Sequence, residues 1–261
     1  MMLRAFITLL MASSCALGSA QEVAYQMLLR QPEQVAQEFA ADEVDSLTFN
    51  VATGSVCLHT KKGEVQQVGM EQLDSVTFYQ VERYGNYAAV DLGLNAKWAT
   101  FNLGTKATAQ YGNYYAWGET GWKRSYTEDS YKYFENEQYE HIGVNICGTD
   151  YDAATRLWGE PWRLPTRGDV NELQRCCKWT AETLDGTKGY RVTAPNGNSI
   201  FLPAAGYKKG TTRTDAEVQG YYWTGSLNRS MPSSAYNLNF QGYDADWSAS
   251  RAYGFSIRAV R

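Results

Sequence analysis

Two stretches near the start of the chain repeat one pattern of apolar and polar positions. Residues 27–49 (MLLRQPEQVAQEFAADEVDSLTF) and 56–78 (VCLHTKKGEVQQVGMEQLDSVTF) align without a gap. Each opens with an apolar, strand-like stretch, turns (Gln31-Pro32-Glu33-Gln34; Lys61-Lys62-Gly63), alternates, and closes on Asp-Ser-x-Thr-Phe after an acidic turn. A period of two predicts short strands. A lone hairpin is marginal in water, so the two copies are expected to pack on each other, with Phe49 and Phe78 buried between them. This predicts a small β-rich tandem repeat module over 21–82. Nothing in it looks reactive; it reads as a spacer or docking piece through which the chain could self-associate.

The texture changes at Gly85. Short apolar runs alternate with turns, and Gly, Tyr, Trp and Asn become frequent. Residues 121–145 are polar and irregular and predict a long surface loop. One helix is predicted over 167–177: Thr166 is an N-cap, Asp169 completes a capping box, and Val170, Leu173 and Cys177 share a face. A hairpin follows, turning at Asn196-Gly197 between 189–194 and 199–206. In the last forty residues Tyr236, Leu238 and Phe240 alternate with Asn237 and Asn239. Many short strands with one or two helices predict an α+β domain with antiparallel sheet.

The beginning of the chain carries a separate signal. Arg4 is followed by the apolar run 5–12 and then by small residues ending Gly18-Ser19-Ala20, the order of a secretory leader over 1–20. Ala12-Ser13-Ser14-Cys15 loosely resembles a lipoprotein cleavage box with Cys15 lipidated. It lacks the usual Leu three places before the Cys and ranks second. No other apolar run is long enough to span a bilayer. The reading is therefore an exported protein at the cell surface, in the periplasm or outside the cell, with no integral membrane span.

Composition narrows the chemistry. The net charge is −4, with no basic run, which argues against nucleic acid as a partner. Two histidines, His59 and His141, leave little for a His-rich metal site or a Ser-His-Asp triad. No metal and no cofactor are expected. Asp244 and Asp246 alone are too few oxygens for calcium and read as a solvated turn. Glu119 and Glu160 are not brought together by spacing, and Cys176-Cys177 lacks the separation of a redox pair. The chain reads as non-catalytic. Cys57, Cys147, Cys176 and Cys177 follow the leader, and export permits disulfides. A Cys147–Cys177 bridge and free buried thiols both remain open.

The blocks AVDLGLNAKWATFNLG, YAWGET, DAATRLWGEPWRLPT, NGNSIFLPAAG, YYWTGS and FSIRAVR resemble, in this order, the FISUMP family, the major paralogous domain of bacterial surface proteins. The resemblance runs from about residue 88 to 261, within a domain placed at 83–261, and implies a C-type-lectin-like fold like that of the sulfatase-modifying-factor group. The cysteine pair those enzymes use near the C-terminus has no counterpart after Cys177. The family often carries Cys where this chain has Phe101, so its usual bridge to the Cys177 position is absent, leaving Cys147 as the substitute partner. In such folds the last strands and their loop form a ligand face. Carried onto this chain, that face comprises Tyr222, Asn228, Asn237, Asn239, Tyr243, Asp244, Asp246, Trp247, Arg251 and Tyr253. Trp223, Tyr236 and Phe240 are expected to face the core. The expected ligand is a glycan, a peptide or a surface protein. The competing reading is a structural or adhesive component of a surface assembly, and an enzyme of unknown type ranks last.

Overall fold

In the computed structural model, residues 2–5, 22–30, 37–73, 75–240 and 247–261 are described. The first half of the fold is built from β1 (Met2–Ala5), β2 (Glu22–Arg30), β3 (Gln37–Ala40), β4 (Val44–Asn50), β5 (Ser55–Thr60), β6 (Val65–Gly69), β7 (Ser75–Tyr84), β8 (Tyr87–Val90) and β9 (Trp98–Ala99). They form two antiparallel sheets, ordered β3-β2-β7-β8-β9 and β1-β4-β5-β6.

The two repeat copies exchange their last strands. Copy one supplies the hairpin β2–β3, copy two the hairpin β5–β6, and each hairpin is completed by the final strand of the other copy. The registers correspond across the repeat. Met27 stands opposite Phe39 and Phe78, and Val56 stands opposite Val68 and Phe49. Single 3-10 turns, Ala41–Glu43 and Met70–Gln72, sit at equivalent places before each final strand. Met27, Leu47, Val56 and Leu58 form the buried centre, with Phe49, Val76, Met70 and Leu73 packed around it. Phe49 joins this cluster as expected, whereas Phe78 remains exposed.

The boundary expected at 82/83 falls inside β7, and one sheet runs across it. Leu28 and Val81 pack not with the repeat core but with Val90, Leu92, Trp98, Phe201 and Val260. In a strand, successive side chains point to opposite faces, so β2 serves both cores at once. The expected leader contributes β1; residues 6–21 lie outside the described residues.

The second half contains β10 (Phe134–Glu135), β11 (Gln138–Tyr139), α1 (Ala153–Trp158), α2 (Arg167–Cys176), β12 (Lys178–Leu184), β13 (Thr187–Thr193), β14 (Ser199–Pro203), β15 (Tyr207–Lys209), β16 (Thr212–Thr214), β17 (Tyr221–Leu227), β18 (Ser234–Asn239) and β19 (Ser248–Ser250). Its sheets are small and antiparallel: β12-β13-β14, β15-β16, β17-β18-β19 and β10-β11. With two α-helices, this is α+β architecture. The helix at 167–176 starts as its sequence requires: Thr166 accepts from Asp169 N–H, and the Asp169 carboxylate accepts from Thr166 N–H. Asp152 caps α1 and also accepts from Gly148 N–H and Leu164 N–H, so one buried carboxylate ties three segments together. No helix among the described residues is long and apolar enough to cross a membrane.

Residues 255–260 are fully buried and thread through this half. Their carbonyls accept from Ala99, Leu103, Tyr115 and Arg163 N–H at 2.9 Å each. Arg258 is buried among acceptors: Asn102 Oδ1 (2.8 Å), Phe201 O (2.8 Å), Ala99 O (3.1 Å) and Thr100 O (3.3 Å).

The Cys147–Cys177 bridge is not formed. Cys57, Cys147, Cys176 and Cys177 are all free thiols. Cys147 packs with the aromatic core of Trp117 and Trp223, while Cys177 packs with that of Trp98 and Phe201. Side chains committed to different cores do not meet. Cys147 instead fills the space over Gly225, where a Cβ would lie 2.3 Å from its sulfur.

Candidate functional site: a half-buried tyrosine face

The residues expected to form the ligand face separate into three groups. Tyr222 (1% exposed), Asn237 (2%), Asn239 (6%) and Arg251 (1%) are interior, and their expected place on an accessible face is corrected. Tyr222 donates to Pro203 O at 2.6 Å, and Asn237 donates its side-chain amide to Trp247 O at 3.2 Å. Arg251 is caged by Trp117, Tyr131 and Tyr139, with ring centroids 4.9–5.4 Å from its guanidinium, and donates to Tyr131 Oη and Glu140 O. Both faces of the 221–239 hairpin are covered: Ala235 and Trp223 join one core, Leu238 and Tyr222 the other. Alternation therefore does not separate inside from outside here.

Tyr243, Asp244 and Asp246 lie outside the described residues. Asn228, Trp247 and Tyr253 reach the surface. Asn228 is engaged locally, donating to Ser248 Oγ at 2.9 Å and accepting from Ser230 N–H. Trp247 is held through its backbone carbonyl, which accepts from Asn237 N–H at 3.0 Å, while its side chain is 53% exposed. Tyr253 belongs elsewhere. The turn that carries it begins at Arg251, whose N–H bonds to Ser233 O, beyond the opposite end of β18 from Asn237.

Around Tyr253 the fold assembles a surface the sequence reading only partly found. Lys208 and Gly254 exchange backbone hydrogen bonds at 2.8 and 2.9 Å, which lays β15 along the turn. Gly206, just before β15, has φ +63°, and a Cβ there would sit 2.1 Å from Thr214 O, so only glycine permits the close return of β16. Tyr207 is thereby set between two other rings, with Tyr221 at 5.0 Å edge-on and Tyr253 at 5.9 Å stacked. Beneath them Phe255 lies 5.3 Å from Tyr221 and stacks on Trp223 at 4.1 Å. The result is an aromatic column that begins in the core and ends at solvent.

The rim is polar. Tyr221 donates its hydroxyl to Asp215 Oδ2 at 3.1 Å. Burial, reinforced by that carboxylate, pushes the Tyr221 phenol up to about 12, so it stays a donor at any ordinary pH. Lys209 holds its ammonium 5.5 Å over the Tyr253 ring. Half-buried rings with an ordered base offer flat apolar area, and hydroxyl, ammonium and carboxylate groups surround it. Rings and polar groups so arranged offer flat stacking area together with hydrogen-bonding groups at its edge.

Elsewhere a hollow of about 530 Å³ is lined by Gly148, Thr149, Asp150, Thr155, Arg156 and Glu160; its Arg156 pairs with Asp150 at 3.2 Å, and no aromatic ring lines it. No group of three or more His, Cys, Asp or Glu among the described residues is arranged to hold a metal ion.

Tyr207 and Tyr221 were missed for identifiable reasons. The expected face contains Tyr222, one position from Tyr221, and in a strand one position selects the opposite face. Tyr207 is brought in by β15, a three-residue strand with no pattern to read. Compared with known proteins, the chain matches no family model, no curated protein and no solved structure.

Proposed function

We propose that this chain is an exported, non-catalytic binding module that recognises a glycan through Tyr207, Tyr221 and Tyr253, with Lys209 and Asp215 on the rim. The single observation that carries this reading is the aromatic column from Trp223 to Tyr253, which holds three half-buried rings in fixed orientation. Pre-ordered rings lose little freedom on binding. The leader pattern at 1–20 supports export, and the ordered motifs from AVDLGLNAKWATFNLG to FSIRAVR support a FISUMP-type domain of C-type-lectin-like fold. Trp247, like Trp122 an exposed aromatic, lies away from this face and suits a protein partner. The alternative, a structural component of a surface assembly, draws on the strand-exchanged repeats.

The test is a glycan array on the processed chain, followed by calorimetric titration of any hit against Tyr253→Ala and Trp247→Ala. Loss of binding in the first variant alone supports the tyrosine face. Loss only in the second moves the site to Trp247, and no glycan bound by the parent protein removes the glycan reading.

A further inference from the structure

The edge of β4 has a marked peculiarity. Among the described strands its outer neighbour is β1, residues 2–5, paired as Met2–Asn50, Leu3–Phe49, Arg4–Thr48 and Ala5–Leu47. Those residues are the start of the leader. If the leader is removed on export, β4 becomes the edge of its sheet and loses the strand that covers it. The strand left bare reads Val44-Asp45-Ser46-Leu47-Thr48-Phe49-Asn50; its one charge, Asp45, sits at a register shift at its start, and the stretch Ser46 to Asn50 carries no charge, Pro or bulge. Edge strands that stay unpaired usually carry such features, because open backbone N–H and C=O groups template another strand.

We propose that the processed protein forms a homodimer in which β4 pairs antiparallel with β4 of a second copy; this rests on the reading of residues 1–20 as a removed leader. An antiparallel neighbour is the orientation β1 already takes. A two-fold axis at Thr48 sets Thr48 opposite Thr48, Leu47 opposite Phe49, and Ser46 opposite Asn50 of the second copy. Apolar then meets apolar and polar meets polar, with no like charges opposed. Leu47 is buried in the repeat core and Phe49 packs beside it. The pairing therefore extends that core from one copy into the next and joins β6-β5-β4 to its equivalent in a single sheet.

The experiment is to export the full chain, read its N-terminus by intact mass, and measure its molar mass by light scattering after gel filtration at tens of micromolar. The expected result is a processed chain of twice the monomer mass. Thr48→Lys, which opposes two ammonium groups at the axis, is expected to return the monomer. Thr48 also contacts His59 (3.0 Å), so a second variant guards against a folding defect. Thr48→Cys, in a Cys57→Ser/Cys176→Ser background because Cys57 stands directly opposite Thr48 within the chain, is expected to cross-link the two copies on mild oxidation, since directly opposed strand positions fall within disulfide reach. A processed chain that stays monomeric overturns the dimer and leaves the leader reading intact. A retained leader overturns both, since β4 then stays covered. A dimer that survives Thr48→Lys and fails to cross-link overturns this interface.

Discussion

Phe78 stands opposite Met27, and each belongs to a different copy of the repeat. Phe49 stands opposite Val56 in the corresponding register, so neither copy owns a complete sheet. Met27 is fully buried at this exchange. Met27→Ala is expected to lower stability by about 2–4 kcal/mol. The loss should register equally by probes placed in β2 and in β5, because both sheets share one core. Separate transitions for the two copies in a denaturant titration would contradict this.

The acid side of the stability curve should carry the signature of Asp169. Burial alone would raise its carboxyl, but the Arg163 guanidinium at 2.8 Å and the Thr166 N–H and hydroxyl hold it below the usual carboxylate range. A depressed folded value means the stabilisation is fully present above about pH 4 and is lost as pH falls through the folded value. Asp169→Asn is therefore expected to cost about 1–2 kcal/mol near pH 7 and much less near pH 2, read from urea midpoints at both.

Arg258 should be among the least replaceable residues. Arg258→Met leaves the carbonyls of Ala99, Thr100 and Phe201 and the Asn102 side chain without this donor, in a site closed to water. The expected cost is about 3 kcal/mol or more, and Arg258→Lys should recover only part of it because an ammonium lacks the planar fork. A melting temperature unchanged in either variant would count against the role.

Thiol reactivity should rank by environment. Cys176 is exposed and is expected to alkylate first. Burial raises the Cys147 thiol to about 12 and the Cys177 thiol to about 11, so both should react slowly in the folded state. Unfolding without reductant should release four thiols from the chain lacking residues 1–20, measured by mass after alkylation. Recovery of two would restore a bridge.

At the tyrosine face, Tyr253→Ala is expected to weaken glycan binding at least tenfold, about 1.4 kcal/mol. Because the ring also packs on Tyr207 and the aromatic core, a moderate drop in melting temperature accompanies the change, and binding is measured well below it. Binding should also be level from pH 6 to about pH 9, because the Tyr221 phenol titrates near 12.

The repeat, the capped helix at 167–176 and the Asn196-Gly197 hairpin were legible because each depends on local pattern. Thr166 and Asp169 specify their own cap, and Gly197 takes the positive φ (+87°) its turn needs. The exchange of β4 and β7 was not legible, since pairing between distant strands leaves no trace in either copy alone. Asn237 and Arg251 misled for a related reason. A polar residue looks external until its partners are known: Asn237 bonds to Trp247 across the next turn, and Arg251 reaches back to Glu140. The helix at 153–158 depends on Asp152, whose carboxylate also binds Leu164 N–H, a link a linear reading does not contain.

The buried segment 255–260 has a bearing on how the protein is made. Ala99, Leu103, Tyr115 and Arg163 bond to carbonyls that are translated more than ninety residues after them. While the ribosome is still adding the middle of the chain, these amides have no partners and the two aromatic cores have no common wall. Closure of such distant contacts is slow. The domain therefore cannot close around this segment until its last residues have been made.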